Sequence, residues 1–247
     1  MKIASYNIWD SPIGMPERKT QIIAELQSME ADTLCLQEAA DSDTHHNIET
    51  ALNFSYSYMN ESAGVSVFSK YRLLPVFDTE FSASVLVHAD KTFFLTNLHL
   101  PWNSASAREK AITKIIFESE RIHYADADQC IIAGDFNCSE NSSVHRFLLG
   151  DQSLDGLDAY YFDLAEAWSE ITGTSAEATL NVRENPRWKG QKTIEKNQRF
   201  DRILVKNAYP SSLPVISSFR LFGTSALSAG EFCPSDHYGV FAELLFK

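Results

Sequence analysis

The chain has 247 residues, 44% of them hydrophobic, and a formal net charge of −12. That length and apolar content suit one globular domain spanning residues 1–247. No apolar run is long enough for a helical membrane span, and the acidic balance argues against a protein that coats long nucleic acid.

The pattern begins with a strand over Lys2–Trp9. Pro16–Met29 reads as an amphipathic helix, with Ile22, Ile23, Leu26 and Met29 on one stripe and Pro16 near its start. Thr33–Gln37 is the next strand. Val65–Ser69, Leu73–Thr79, Ser82–Val87 and Lys91–Leu98 are expected as successive antiparallel strands. Ala107–Ala125 is a second long helix, with Ala111, Ile112, Ile115, Ile116 and Ile122 facing inward. Cys130–Ala133 is a central strand and Val144–Leu149 a short helix. Phe200–Val205, Val215–Phe222 and Val240–Phe246 complete the strands. Between Asp151 and Gln198 only a turn of helix near Leu164–Trp168 is legible. Strands in consecutive pairs, with helices between them in both halves, predict two packed, mostly antiparallel sheets with outer helices: an α+β sandwich.

The N-terminus MKIASYNIWD has no apolar segment or cleavage site of a secretory signal. Cys35, Cys130, Cys138 and Cys233 have no zinc-like spacing. Cys35 and Cys130 lie inside apolar runs, and free buried thiols lead us to expect a cytoplasmic setting. The charge is uneven. Residues 183–202 carry seven Lys or Arg against three acidic residues, whereas 151–180 carry seven acidic residues and no Lys or Arg. The basic stretch would attract an anionic substrate, or it is a solvated loop. Trp188 stands inside it between Arg187 and Lys189, where it would stack a base or anchor the loop to the core.

Polar residues recur at predicted strand ends. Glu38 follows Thr33–Gln37, and Asp135 and Asn137 follow Ile131–Gly134. Asn7 lies within the first strand, His99 closes Phe93–Leu98, Asp201 opens a strand, and Asp236 and His237 precede the last one. Taken singly, each has a plain reading: capping carboxylate, network amide, core histidine or turn. As a set they are the side chains that hold hard cations such as Mg2+ and move protons.

The segments SYNIW, LQEA, GVSVFSK, TNLHL, AGDFN, RFDRILV and SDHYGV run in this order from residue 5 to residue 240. Together they resemble the endonuclease/exonuclease/phosphatase superfamily. The resemblance implies a four-layer, DNase I-like α/β sandwich and a Mg2+-dependent phosphodiesterase, with Mn2+ as a substitute cation. It implies that Glu38 is the principal metal ligand, that Asn7 contacts the metal's hydration shell or the phosphate, and that Asp236 serves a second metal or a water. Asp135 would activate the attacking water and Asn137 would hold a phosphate oxygen. His237 would stabilise charge on phosphorus, Asp201 would fix its tautomer, and His99 would add a phosphate contact. The C-terminal third, with QRFDRILV, SFRLFGTSAL and FCPSDHYGV, is most similar to the tyrosyl-DNA phosphodiesterase 2 group, which makes Thr179 a candidate substrate contact; Trp188 and Arg199 of the basic stretch are further candidates. Ser139 departs from that group, which has an arginine there.

The implied substrate is a short nucleic-acid end, an adduct or a nucleotide-like phosphodiester. A phospholipid or soluble phosphoester hydrolase, or a binding module that keeps the fold without catalysis, are the alternatives. No protein partner is evident.

Overall fold

The computed structural model describes residues 1–39, 42–122, 127–188, 194–226 and 233–246. Runs of apolar and β-branched residues build two six-stranded sheets. The first contains β1 (Lys2–Asn7), β2 (Thr33–Gln37), β3 (Tyr56–Asn60), β4 (Val65–Ser69), β11 (Val215–Phe222) and β12 (Gly239–Leu245), in the order β11-β12-β1-β2-β4-β3. The second contains β5 (Arg72–Thr79), β6 (Ser82–His88), β7 (Thr92–His99), β8 (Gln129–Asp135), β9 (Tyr161–Asp163) and β10 (Asp201–Lys206), in the order β5-β6-β7-β8-β10-β9. Five described α-helices accompany them: α1 (Glu17–Met29), α2 (Ser42–Leu52), α3 (Ala105–Ile122), α4 (Ser143–Leu149) and α5 (Leu164–Thr172).

Most strand pairs are antiparallel. The exceptions are β1 with β2 and β7 with β8, which are parallel. Each of these pairs is joined through a helix, α1 or α3, because a parallel connection must cross back along the sheet.

Three apolar layers follow from strand alternation. Ile3, Cys35, Val67, Val85, Leu95, Ile131 and Ile203 pack between the sheets. Ala4, Tyr6, Leu34 and Leu36 face the other way, toward Ile22 and Leu26 of α1. Leu98, Ile132 and Leu204 face Ile112, Ile115 and Ile116 of α3. With both faces of both sheets covered, the arrangement is the four-layer sandwich expected.

Several boundaries differ from the sequence reading. The first strand stops at Asn7, because Trp9 adopts φ 55°. Val65–Ser69 and Leu73–Thr79 are not paired: β4 joins β2 and β3, while β5 opens the second sheet. Helix α2 and strands β3 and β9 were not read from the sequence. Strand β3 has no buried alternation, and β9 has three residues. Ala125 and the Ile122 side chain lie outside the described residues. All four cysteines are free and buried. No described helix is long and apolar enough to cross a membrane.

Candidate active site

Both parallel pairs end at one edge of the sandwich. Asn7 closes β1 opposite Gln37, and Glu38 follows directly. His99 closes β7 opposite Asp135, the last residue of β8. Strand β10 runs the other way, so its first residue, Asp201, also pairs with Asp135. His237 lies two residues before β12, which runs antiparallel to β1. Register alone thus carries residues from six segments to one place.

The Asn7 side-chain amide joins the two sheets. Its Nδ2 donates to Glu38 Oε1 at 2.9 Å and to Asp135 Oδ2 at 3.0 Å. Its Oδ1 accepts from Trp9 N at 2.9 Å, and Glu38 Oε2 accepts from Asp10 N at 2.8 Å. Asn137 N donates to Asp135 Oδ1 at 2.8 Å, while Asn137 Nδ2 reaches Asp135 Oδ2 at 3.2 Å and the Leu100 carbonyl at 3.0 Å. Glu38 and Asn137 have φ of 55° and 48°, a left-handed conformation that side-chain-bearing residues rarely adopt and that these hydrogen bonds hold in place.

His237 Nδ1 lies 2.8 Å from Asp201 Oδ2 and 3.9 Å from Asp135 Oδ2. His99 Nε2 lies 3.7 Å from the same Asp135 oxygen. Burial opposes charge on His237, but the carboxylates of Asp201, Asp135 and Asp236 outweigh it and hold its pKa well above the ordinary histidine value. The Asp236 carboxyl is pushed up by burial and by Glu38, against the opposing pull of His237, Arg18 and Arg187.

These residues fit a hard divalent cation. Glu38 and Asp236 are hard oxygen donors, and the Glu38 carboxylate raises the Asp236 pKa, a repulsion of the kind that an inserted cation relieves. Ligand atoms of Asp135, Asp201 and His237 lie within 4.8 Å of one another, and Asp201 Oδ1 is buried without a hydrogen-bond partner. A second group of similar spacing, His145, Asp163 and Glu166, is instead filled by the Arg199 guanidinium, which reaches Asp163 at 2.5 Å and Glu166 at 2.6 Å.

The three residues expected on the substrate side are placed differently. Thr179 is fully buried: its Oγ1 accepts from Phe200 N and Asp201 N, and its carbonyl accepts from Tyr238 N. It therefore fixes the start of β10 to the His237 turn and presents nothing to a ligand. Arg199 is buried and its charge is spent on Asp163 and Glu166. The structure corrects both expectations, for one reason: each side chain is buried on partners inside the protein. Trp188 sits in a turn of 3-10 helix, Pro186–Trp188, with the Arg187 guanidinium over its ring at 5.0 Å. Lys189 lies outside the described residues.

Sequence reasoning passed over Gln37, Asn97 and Arg18. Gln37 Nε2 donates to Ser5 Oγ at 3.1 Å and to Asn97 Oδ1 at 2.7 Å, and Asn97 Nδ2 donates to the Leu36 and Ser66 carbonyls. This polar layer joins the sheets beneath the site. Its signal was an amide inside an apolar run, as for Asn7. Arg18 is fully buried and donates to the carbonyls of Ile8, Trp9, Ser11, Ile13 and Pro234, while lying 4.2 Å over the Trp9 ring. It ties the loop after Asn7 to the turn that carries His237.

Carboxylates, amides and imidazoles gathered at the shared end of two sheets fit a hydrolase of phosphoric esters. The chain belongs to the endonuclease/exonuclease/phosphatase family, whose model matches residues 4–237. Solved structures share the fold. A truncated TDP2 from Caenorhabditis elegans superimposes with a TM-score of 0.73 at 18% identity, covering 99% of this chain and 97% of that one. TDP2 from D. rerio, complexed with a single-strand DNA product, gives 0.72 at 16% identity, covering 98% and 97%. An endonuclease/exonuclease/phosphatase from Bacteroides vulgatus gives 0.70 at 16% identity, covering 100% and 98%. No curated protein matches the sequence.

Proposed function

We propose that the chain is a Mg2+-dependent phosphodiesterase acting by in-line attack of water on a nucleic-acid end or a nucleotide-like phosphodiester. One observation carries the reading: a single amide, Asn7 Nδ2, bonds both Glu38 and Asp135, and the Asp201–His237 pair lies against that same Asp135. Glu38, Asn7 and Asp236 would hold the cation. When bound, the cation polarises a phosphoryl oxygen as a Lewis acid. Asp135, oriented through both oxygens, accepts the proton of the attacking water. His237, tied through Nδ1 to Asp201, keeps Nε2 for the negative oxygens that develop at phosphorus. His99 and Asn137 flank the same carboxylate and bound the space for the phosphate. Asp201 and Thr179 are positioning residues behind His237.

Mg2+ is supported by the hard oxygen set, with Mn2+ as its substitute. A nucleic-acid substrate is supported by the D. rerio TDP2 structure, which was solved with a single-strand DNA product.

The test is hydrolysis of bis(4-nitrophenyl) phosphate with Mg2+, with Mn2+ and with chelator, by wild type and Asp135→Asn. Metal-dependent turnover that Asp135→Asn loses by about 100-fold or more is expected. Turnover that survives the chelator, or that Asp135→Asn retains, overturns the reading.

A further inference from the structure

The basic stretch at 183–202 divides once its side chains are placed. Arg199 and Arg202 are buried, and both lie against Asp163. Arg202 also donates to the Cys138 carbonyl at 2.7 Å. Arg183 is exposed and bonds the Glu195 carbonyl at 3.1 Å. Arg187 differs from all three. Among the described residues its guanidinium forms no ion pair, and its buried Nε has no hydrogen-bond partner. What holds it are two indoles: it lies 5.0 Å from the Trp9 ring and 5.0 Å from the Trp188 ring.

Its location is fixed by Asn185. Asn185 Oδ1 accepts from Arg187 N at 3.0 Å, and Asn185 Nδ2 donates to the Ser235 and Asp236 carbonyls at 3.0 and 3.3 Å. The guanidinium thus sits against the turn that carries Asp236 and His237. Trp9, its other neighbour, donates its backbone N–H to Asn7 Oδ1. A planar cation, held by two rings so that its fork keeps one orientation and forming no ion pair with the nearby Asp236 carboxyl, is built to receive a phosphate.

We propose that Arg187, held by Trp9 and Trp188, binds a second phosphate of a nucleotide chain, next to the one cleaved, and so sets specificity for a chain over a lone diester. This rests on the function proposed above. Asp135 and His237 already serve the scissile phosphate, and Arg187 stands beside the turn that carries His237. Trp188 acts by holding the guanidinium, which accounts for its place in the basic stretch without base stacking.

The test reads binding, so that it stands apart from turnover. Asp135→Asn protein with Mg2+ is titrated with a dye-labelled thymidine tetranucleotide, and with chains in which methylphosphonate neutralises one internal linkage at a time. The titrations are repeated in Asp135→Asn proteins that also carry Arg187→Gln or Arg187→Lys, and thermal melts verify the fold of each. Arg187→Gln weakens binding of the charged chain about 10- to 100-fold. Arg187→Lys, which keeps the charge but loses the stacked fork, falls between. At one linkage, neutralisation costs the Arg187 protein the same factor and costs Arg187→Gln little more, because the two changes remove one contact. Losses that multiply independently at every linkage, a melt showing that the variants lose binding by unfolding, or no binding of any chain overturn the proposal. Failure of the chromogenic diester assay bears instead on the function itself.

Discussion

His237 Nδ1 lies 2.8 Å from Asp201 Oδ2, and the pair joins the turn before β12 in one sheet to the first residue of β10 in the other. Against the opposing effect of burial, Asp201 is the carboxylate that does most to keep the imidazole protonated. In the metal-free protein, Asp201→Asn therefore lowers the pH at which His237 loses its proton. Proton NMR of the His237 ring across pH 5–9 follows this directly. An unmoved titration would remove Asp201 from its positioning role.

Glu38 bears on the metal. A ligand that binds only the folded state at about 100 times its dissociation constant adds about 2.7 kcal/mol, worth several degrees of melting temperature at this size. Millimolar Mg2+ is expected to raise the melting temperature of wild type by that order. Glu38→Gln should need at least tenfold more Mg2+ for the same rise. Equal metal dependence in the two proteins would exclude Glu38 as a ligand.

Gly134 has φ 143°, and a Cβ there would stand 1.9 Å from the Leu98 carbonyl oxygen. The obstruction is backbone, so it cannot swing aside. Gly134→Ala must push β7 from β8 at the point where His99 pairs with Asp135. A loss of about 4 kcal/mol or more is expected, read by urea unfolding. A variant within about 1 kcal/mol of wild type would contradict this strand contact.

Glu166 gives an acid dependence. Its hydrogen bond to His145 and the nearby His145 and Arg199 side chains hold its pKa below the usual value, against burial. A depressed carboxyl contributes stability that is present above its unfolded pKa of about 4.3 and is lost as pH falls through the lower folded value. Wild type should exceed Glu166→Gln in melting temperature at pH 5–7, with the gap closing below about pH 4. A gap that persists at pH 3 would assign the difference to packing.

The sequence by itself determined where most strands and helices lie and which residue types close them. Local periodicity encodes burial, so Thr33–Gln37 and the Ala111–Ile116 face were legible from one stretch of chain. Glu38 and Asp135 stood out because each ends an apolar run, and His237 because it stands just before one. Strand β3 escaped because its side chains are half exposed and carry no alternation. Tertiary structure alone decided that β4 and β5, neighbours in sequence, belong to different sheets. It also decided that Asp135 and Asp201 meet, through an antiparallel register no local pattern specifies. The fates of the arginines were equally hidden. Arg199 is spent inside an ion-pair network and Arg187 is left between two indoles, although both stand in one basic stretch. A charge in sequence has only a sign; its partners come from segments far along the chain, and packing chooses them.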